Sequence, residues 1–245
     1  MIAHYNLVLV SLSYLVSVLG SFTSLQLAIA IPQAQPGRDK RNAILAAGTA
    51  MGGGAIWAMH FIAMLAFKMD MPVAYDTFIT LISALIAIAS CSIGLAIAGS
   101  GVFSLEKLLP AGIFMGCGVA GMHYTGMAAM LMPAEIHYDL NILMVSVIIG
   151  VVASCAALWL AFHMRGQWQM FGSAMIMGIA VCGMHYTGMV AASYSGTDVI
   201  REATFAGALS GEYLGVSIFL ISVALLLFAL TITQARRRRR AALAI

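Results

Sequence analysis

Seven long apolar stretches set the terms for this chain: residues 7–30, 44–67, 77–99, 108–132, 141–163, 170–193 and 213–234. Each can cross a hydrocarbon core of about 30 Å, which takes roughly 20 helical residues. In lipid, backbone N–H and C=O groups find no water, so such stretches fold as helices that satisfy them internally. A composition of 62% hydrophobic and 9% charged residues cannot cover a water-soluble surface. The sequence therefore predicts an all-α membrane protein of seven transmembrane helices. The first stretch lacks a basic leader and a clear small-residue cleavage site, so it reads as a retained helix.

Charge placement predicts orientation, because Lys and Arg near helix ends favour the cytoplasmic side. With the N-terminus outside, the inner connections hold Arg38, Lys40, Arg41, Lys107, Arg165 and Arg236 through Arg240, whereas the outer ones hold only Lys68 and Arg201. Asp70, Asp76, Glu135, Asp139, Asp198, Glu202 and Glu212 fall outside, against Asp39 and Glu106 inside. The C-terminus is then cytoplasmic. Residues 1–235 read as one helical domain and 236–245 as a basic tail that anchors to anionic lipid. The net charge of +3 is a topological signal and implies no nucleic-acid partner.

A motif recurs in the second, fourth and sixth stretches: Met59-His60-Phe61-Ile62-Ala63-Met64, Met122-His123-Tyr124-Thr125-Gly126-Met127 and Met184-His185-Tyr186-Thr187-Gly188-Met189. His60 and His123 are 63 residues apart, His123 and His185 62. So regular a period marks an internal duplication. It predicts three parallel two-helix repeats, helices 2-3, 4-5 and 6-7, with helix 1 as an unpaired extra. Because helices 2, 4 and 6 run the same way, their histidines share one depth, roughly 10 to 14 Å below the outer boundary at about 1.5 Å per residue. At 100° per residue, Met64, Met127 and Met189 lie about 40° from the histidines on the same face. Gly53, Gly116 and Gly178, seven residues before, and Ala63, Gly126 and Gly188, three after, are small residues that let helices approach. Met59, Met122 and Met184, with Phe61, Tyr124 and Tyr186, point about 100° away and read as packing neighbours of the site.

An intramembrane histidine is costly without a partner. A single one is ordinarily hydrogen-bonded to a backbone carbonyl or a hydroxyl, but three at equal depth with Met at i+4 favour a shared metal or redox site. Imidazole suits copper, zinc, nickel and iron, and thioether is soft and favours Cu(I); zinc seldom takes Met. Copper is the expected metal, with His60, His123, His185, Met64, Met127 and Met189 as ligands, and haem is disfavoured by the crowding of three convergent helices. His4 and His137 read as solvated, and His163 as too far across the membrane to join. Cys91, Cys117, Cys155 and Cys182 read as small buried hydrophobes.

At these motifs the chain resembles the MHYT-domain membrane sensors of bacteria, over nearly its whole length. Two copies carry Met-His-Tyr-Thr, and the first departs as Met-His-Phe-Ile. The resemblance implies copper held by these His and Met residues, a diatomic gas ligand (oxygen, carbon monoxide or nitric oxide), a bacterial inner-membrane location, and a cytoplasmic output domain or partner. The chain is then a sensory domain, either stand-alone or the membrane part of a longer protein, with no catalytic residues of its own. Two other readings compete. A small copper oxidase would use Tyr124 or Tyr186 but lacks intramembrane proton-relay groups. A copper transporter needs ligands along the whole path, and Met51, Met115, Met175 and Met177 offer only thioethers deeper in.

Overall fold

The computed structural model describes residues 4–196 without interruption, and beyond them residues 209, 210, 215–218, 220, 223, 224, 227 and 231. Among the described residues six helices are long and apolar enough to span a membrane: helix 1 (Leu7–Ala28), helix 2 (Arg38–Ala66), helix 3 (Thr77–Ala98), helix 4 (Leu105–Ala128), helix 5 (Leu140–His163) and helix 6 (Gln167–Ala191). The chain is a multi-pass, all-helical membrane protein. Residues 215–218, 220, 223, 224, 227 and 231 are helical, in keeping with a seventh span, but most of 213–234 and all of the basic run Arg236 through Arg240 lie outside the described residues. Helix 2 starts at Arg38, earlier than the apolar stretch at 44, because Arg38, Lys40 and Arg41 are good helix formers that hydropathy discounts.

Short strands, β1 (His4–Tyr5), β2 (Phe67–Lys68), β3 (Ala74–Tyr75), β4 (Met130–Leu131), β5 (Ala134–Tyr138), β6 (Ala192–Gly196) and β7 (Leu209–Ser210), cover the end of the bundle where the motif helices finish. β1 pairs with β2, β3 with β4 and β5 with β6, all antiparallel. Each pair continues into an equivalent backbone bond, Asn6 N–H to Ala66 O at 2.8 Å, Asp76 N–H to Ala129 O at 2.8 Å and Asp139 N–H to Ala191 O at 2.9 Å. The strands thus join helix 1 to helix 2, helix 3 to helix 4 and helix 5 to helix 6.

These strand links tie helices 1-2, 3-4 and 5-6 across the helix pairs 2-3 and 4-5 that follow one another in the sequence repeat. Consecutive helices pack side by side, helix 1 closes a ring against helix 6, and helices 2, 4 and 6 touch one another at the centre.

Asn6, Asp76 and Asp139 are also the N-caps of helices 1, 3 and 5. Their side chains accept from Val8 N–H (3.0 Å), Ile79 N–H (2.8 Å) and Asn141 N–H (2.8 Å) respectively. The acidic residues expected merely to mark one side of the membrane therefore satisfy helix-end donors that lipid cannot. Asp139→Ala should lower stability by about 1 kcal/mol and Asp139→Asn by far less, since Asn caps as well as Asp. The thermal midpoint in detergent checks this, and equal losses would mean that the charge matters instead of the cap.

At the opposite end lie Arg38, Lys40, Arg41, Lys107 and Arg165. Lys40 Nζ donates to Gly99 O at 2.8 Å and Arg165 Nη2 to Phe162 O at 2.8 Å, each at the C-terminal end of a helix, where carbonyls lack partners and the dipole favours a cation.

Helix 2 contains a π-helical segment, Ala50–Trp57, which absorbs one extra residue. A Cβ on Gly52 would stand 2.3 Å from Ala87 O, and one on Gly116 2.4 Å from Val151 Cα; at Gly178 it would meet Val18 Cγ2 at 2.9 Å. Gly52, Gly116 and Gly178 are thus the structural equivalents, each set against the neighbouring helix 3, 5 or 1. Gly53, which the sequence spacing aligned with Gly116 and Gly178, reaches nothing nearer than the Ile88 side chain at 3.5 Å. The inserted residue lies between Gly52 and His60, inside or beside the π segment.

Candidate metal centre

Helices 2, 4 and 6 end at Ala66, Ala128 and Ala191, so His60, His123 and His185 sit five or six residues before the strand-covered end. Common depth and a common axis bring the three imidazoles together, all at 0–1% exposure. Their Nδ1 atoms lie 3.0 Å (His60–His185), 3.1 Å (His60–His123) and 3.3 Å (His123–His185) apart. The ring centroids are 4.9 to 5.1 Å apart and nearly perpendicular, which leaves no space for a porphyrin between them.

Three Nδ1 atoms in a triangle cannot satisfy one another. A neutral imidazole nitrogen is either a donor or an acceptor, and a triangle has an odd number of edges, so at least one contact pairs like with like. A cation at the centre removes the conflict, since all three lone pairs then point inward. Two nitrogens held at about 2.0–2.1 Å from one ion lie about 2.9–3.5 Å apart for angles near 90–120°, and the observed separations fall in that range. Coordination through Nδ1 puts the protons on Nε2, and all three Nε2 atoms are buried with no hydrogen-bond partner. The residues present fit a metal ion and fit a hydrogen-bonded histidine cluster poorly.

The backs of the rings explain two glycines. A Cβ on Gly126 would sit 2.3 Å from His60 Nε2, and one on Gly188 2.4 Å from His123 Nε2. The His60 and His123 imidazoles each lie across the glycine of the next motif helix, so there the small residue three after one histidine makes room for another histidine. Ala63 holds this position in the first motif and is fully buried.

The aromatic residue after each histidine stands edge-on to its ring: Phe61 at 4.8 Å, Tyr124 at 4.7 Å and Tyr186 at 4.9 Å. Each is met in turn by a tyrosine from the strand layer, Phe61 by Tyr75, Tyr124 by Tyr138 and Tyr186 by Tyr5, at 5.9, 5.3 and 5.6 Å. These strand tyrosines escaped the sequence reading. Their signal is a dipeptide, Tyr5-Asn6, Tyr75-Asp76 and Tyr138-Asp139, in which the second residue caps a helix and the first packs on the aromatic ring beside a motif histidine. Burial first, then the neighbouring Tyr186 or Tyr124 hydroxyl, pushes the Tyr5 and Tyr138 phenols up to about 12, so both stay protonated.

All six motif methionines are buried at 4% exposure or less, so burial does not separate Met64, Met127 and Met189 from Met59, Met122 and Met184. His137 is exposed, bonded to Ser195 Oγ at 2.9 Å, and His4 is exposed in β1. His163, at the other end, stacks on Trp159 and bonds its carbonyl at 2.8 Å. None joins the triad. Among the cysteines only Cys91 is fully buried, and Cys117 faces outward.

The profile of a family described as "MHYT: Bacterial signalling protein N terminal repeat" matches residues 53–111, 116–174 and 178–245. The bifunctional diguanylate cyclase/cyclic di-GMP phosphodiesterase MucR of Pseudomonas aeruginosa is 39% identical over 242 residues, 95% of this chain and 34% of MucR. The signalling protein YkoW of Bacillus subtilis is 33% identical over 198 residues, 78% of this chain and 24% of YkoW. The cyclic di-GMP phosphodiesterase NbdA of P. aeruginosa is 34% identical over 194 residues, 76% of this chain and 24% of NbdA. The matched region thus spans about a third of MucR and a quarter of the other two. No solved structure matches the chain.

Proposed function

The chain belongs to the MHYT family of bacterial signalling proteins, and on that footing we propose that it is an inner-membrane sensory domain holding copper at His60, His123 and His185. The observation that carries this reading is the triangle of buried Nδ1 atoms, none further than 3.3 Å from the next.

The donor set argues for Cu(I) in particular. Histidines and thioethers are neutral, and among the described residues no carboxylate belongs to the cluster. A monovalent ion therefore leaves one net charge in the membrane where a divalent ion leaves two, and the Born cost of a charge in a low dielectric rises about fourfold on doubling it. Met64, Met127 and Met189, one turn beyond the histidines, are the thioethers assigned to complete the set, with Met59, Met122, Met184, Tyr124 and Tyr186 around it. Bound Cu(I) supplies a soft centre with affinity for oxygen, carbon monoxide or nitric oxide, or one that reports copper supply and redox state. The chain's own part is to hold three helices by one imidazole each and to exclude water with the paired aromatic rings. Any change at the centre then acts on helices 2, 4 and 6 together, which is what a signal needs if it is to bias one helix arrangement over another.

The strand-covered end faces outward in this reading, because the basic side chains gather at the other end. The cyclase and phosphodiesterase names of the relatives point to a cyclic-di-GMP enzyme as the cytoplasmic output, in this chain's parent protein or in a partner.

Competition titration of the detergent-purified chain with Cu(I) tests the centre. Met64→Leu, Met127→Leu and Met189→Leu, nearly volume-conserving swaps, should weaken Cu(I) at the histidines more than Leu at 59, 122 and 184. The reverse order would overturn the assignment of the i+4 thioethers, and a protein that retains no copper would overturn the copper reading itself. A change in the copper X-ray absorption edge on exposure to carbon monoxide separates gas sensing from sensing of copper supply.

A further inference from the structure

Deeper in the bundle the repeat carries a second element that the histidine centre does not use. Each motif helix has a Met-Gly pair, Met51-Gly52, Met115-Gly116 and Met177-Gly178, with the methionine eight residues before the motif histidine, or nine in helix 2 where the π segment takes up the difference. The glycines are structural equivalents by their contacts with helices 3, 5 and 1, so the methionines before them are equivalent too. Met51, Met115 and Met177, all at 4% exposure or less, line one cavity of about 20 Å³. Met184 lines it as well, seven residues after Met177 and so on the same stripe of helix 6.

The rest of the wall is apolar side chain and glycine, apart from Ser154. A cavity of this size has room for about one small occupant, and a water there would want two to four polar partners. Methionine is often a filler of irregular gaps. Filler, however, closes a gap, whereas here four methionines, from helices 2, 4 and 6, line the same gap and leave it open. The groups able to ligate are, Ser154 aside, soft sulfur donors, which select monovalent Cu(I) or Ag(I) over zinc or magnesium.

From this we infer a second soft-metal site, formed by the thioethers of Met51, Met115 and Met177 with Met184 as a fourth donor, inward of the histidines and between the level of Met184 and that of the Met-Gly pairs, whose methionines start about 12 Å deeper along the helices. It stands on its own residues and does not depend on the histidine centre being occupied. Met184, directly before His185, belongs to this site, which gives the methionine preceding the motif histidine in helix 6 a role distinct from that of Met189.

Ag(I), which is redox-inert, is the probe, titrated into the full chain in detergent with X-ray absorption at the silver edge. In the variant His60→Ala/His123→Ala/His185→Ala, one equivalent of Ag(I) should remain with sulfur neighbours only. Adding Met51→Leu, Met115→Leu and Met177→Leu should abolish it. Should the histidine-free variant fail to insert, the same three Leu substitutions in the wild type should remove the sulfur-only equivalent and leave nitrogen-bound metal unchanged. A correctly inserted histidine-free variant that binds no Ag(I), Leu variants that bind as well as their parents, or a cavity that takes xenon while excluding Ag(I) would each overturn the site. A wild type that shows sulfur-bound but no nitrogen-bound metal would sink the histidine centre and leave this inference standing.

Discussion

Alanine at any one of His60, His123 or His185 will strip the centre of copper. Loss of a partner that merely orients a ligand commonly costs about 10–100-fold in metal affinity, so loss of one of three imidazoles should exceed about 100-fold. Thermal stability gives a sharper signature than occupancy. In the wild type, metal binding should raise the midpoint by mass action. In each single variant that rise should vanish, while the metal-free midpoint should fall less than burial alone would suggest. The reason is the parity of the cluster: three imidazoles 3.0–3.3 Å apart leave one contact frustrated, whereas the two that survive can pair as one donor and one acceptor. Equal metal-induced stabilisation in wild type and variants would remove these histidines from the site.

The histidine centre was legible because each of its determinants is periodic. Three motifs at intervals of 63 and 62 residues, each in an apolar stretch, force parallel helices and equal depth, and convergence follows. The strand layer was not legible. Strands β1 to β4 are two residues long, too short for alternation to register, and β5 and β6 are hidden at the edge of hydrophobic runs. The caps are readable in principle, since Asn6, Asp76 and Asp139 each stand immediately before an apolar run. Charge alone does not distinguish a cap from any other outer acidic residue. The π segment is invisible for a different reason: its only trace is one extra residue between a Met-Gly pair and its histidine, and a wheel drawn at a constant 100° per residue carries that offset silently into the wrong glycine.

Gly126→Ala and Gly188→Ala should abolish copper binding while leaving insertion intact. A methyl at either position falls 2.3–2.4 Å from the Nε2 of the facing histidine, against the roughly 3.5 Å of an ordinary contact, so ring or helix must retreat by about 1 Å. Neither neighbour has slack: the ring is fully buried and wedged against the aromatic that follows it, and retreat drags its Nδ1 out of a triangle only about 3 Å on a side. The third such position is already filled by Ala63, so the bundle has no symmetrical way to spread. Two other glycines supply the control. Gly121 and Gly183, each two residues before a motif histidine, have nothing within 4 Å of the point where a methyl would stand, and the first repeat carries Ala58 there. Alanine at 121 or 183 should keep full copper occupancy and add up to about 1 kcal/mol of helix stability. Loss of copper from all four variants would point to a general need for backbone freedom in these helices. Loss confined to 126 and 188 would show that the glycines act by making room for the imidazoles.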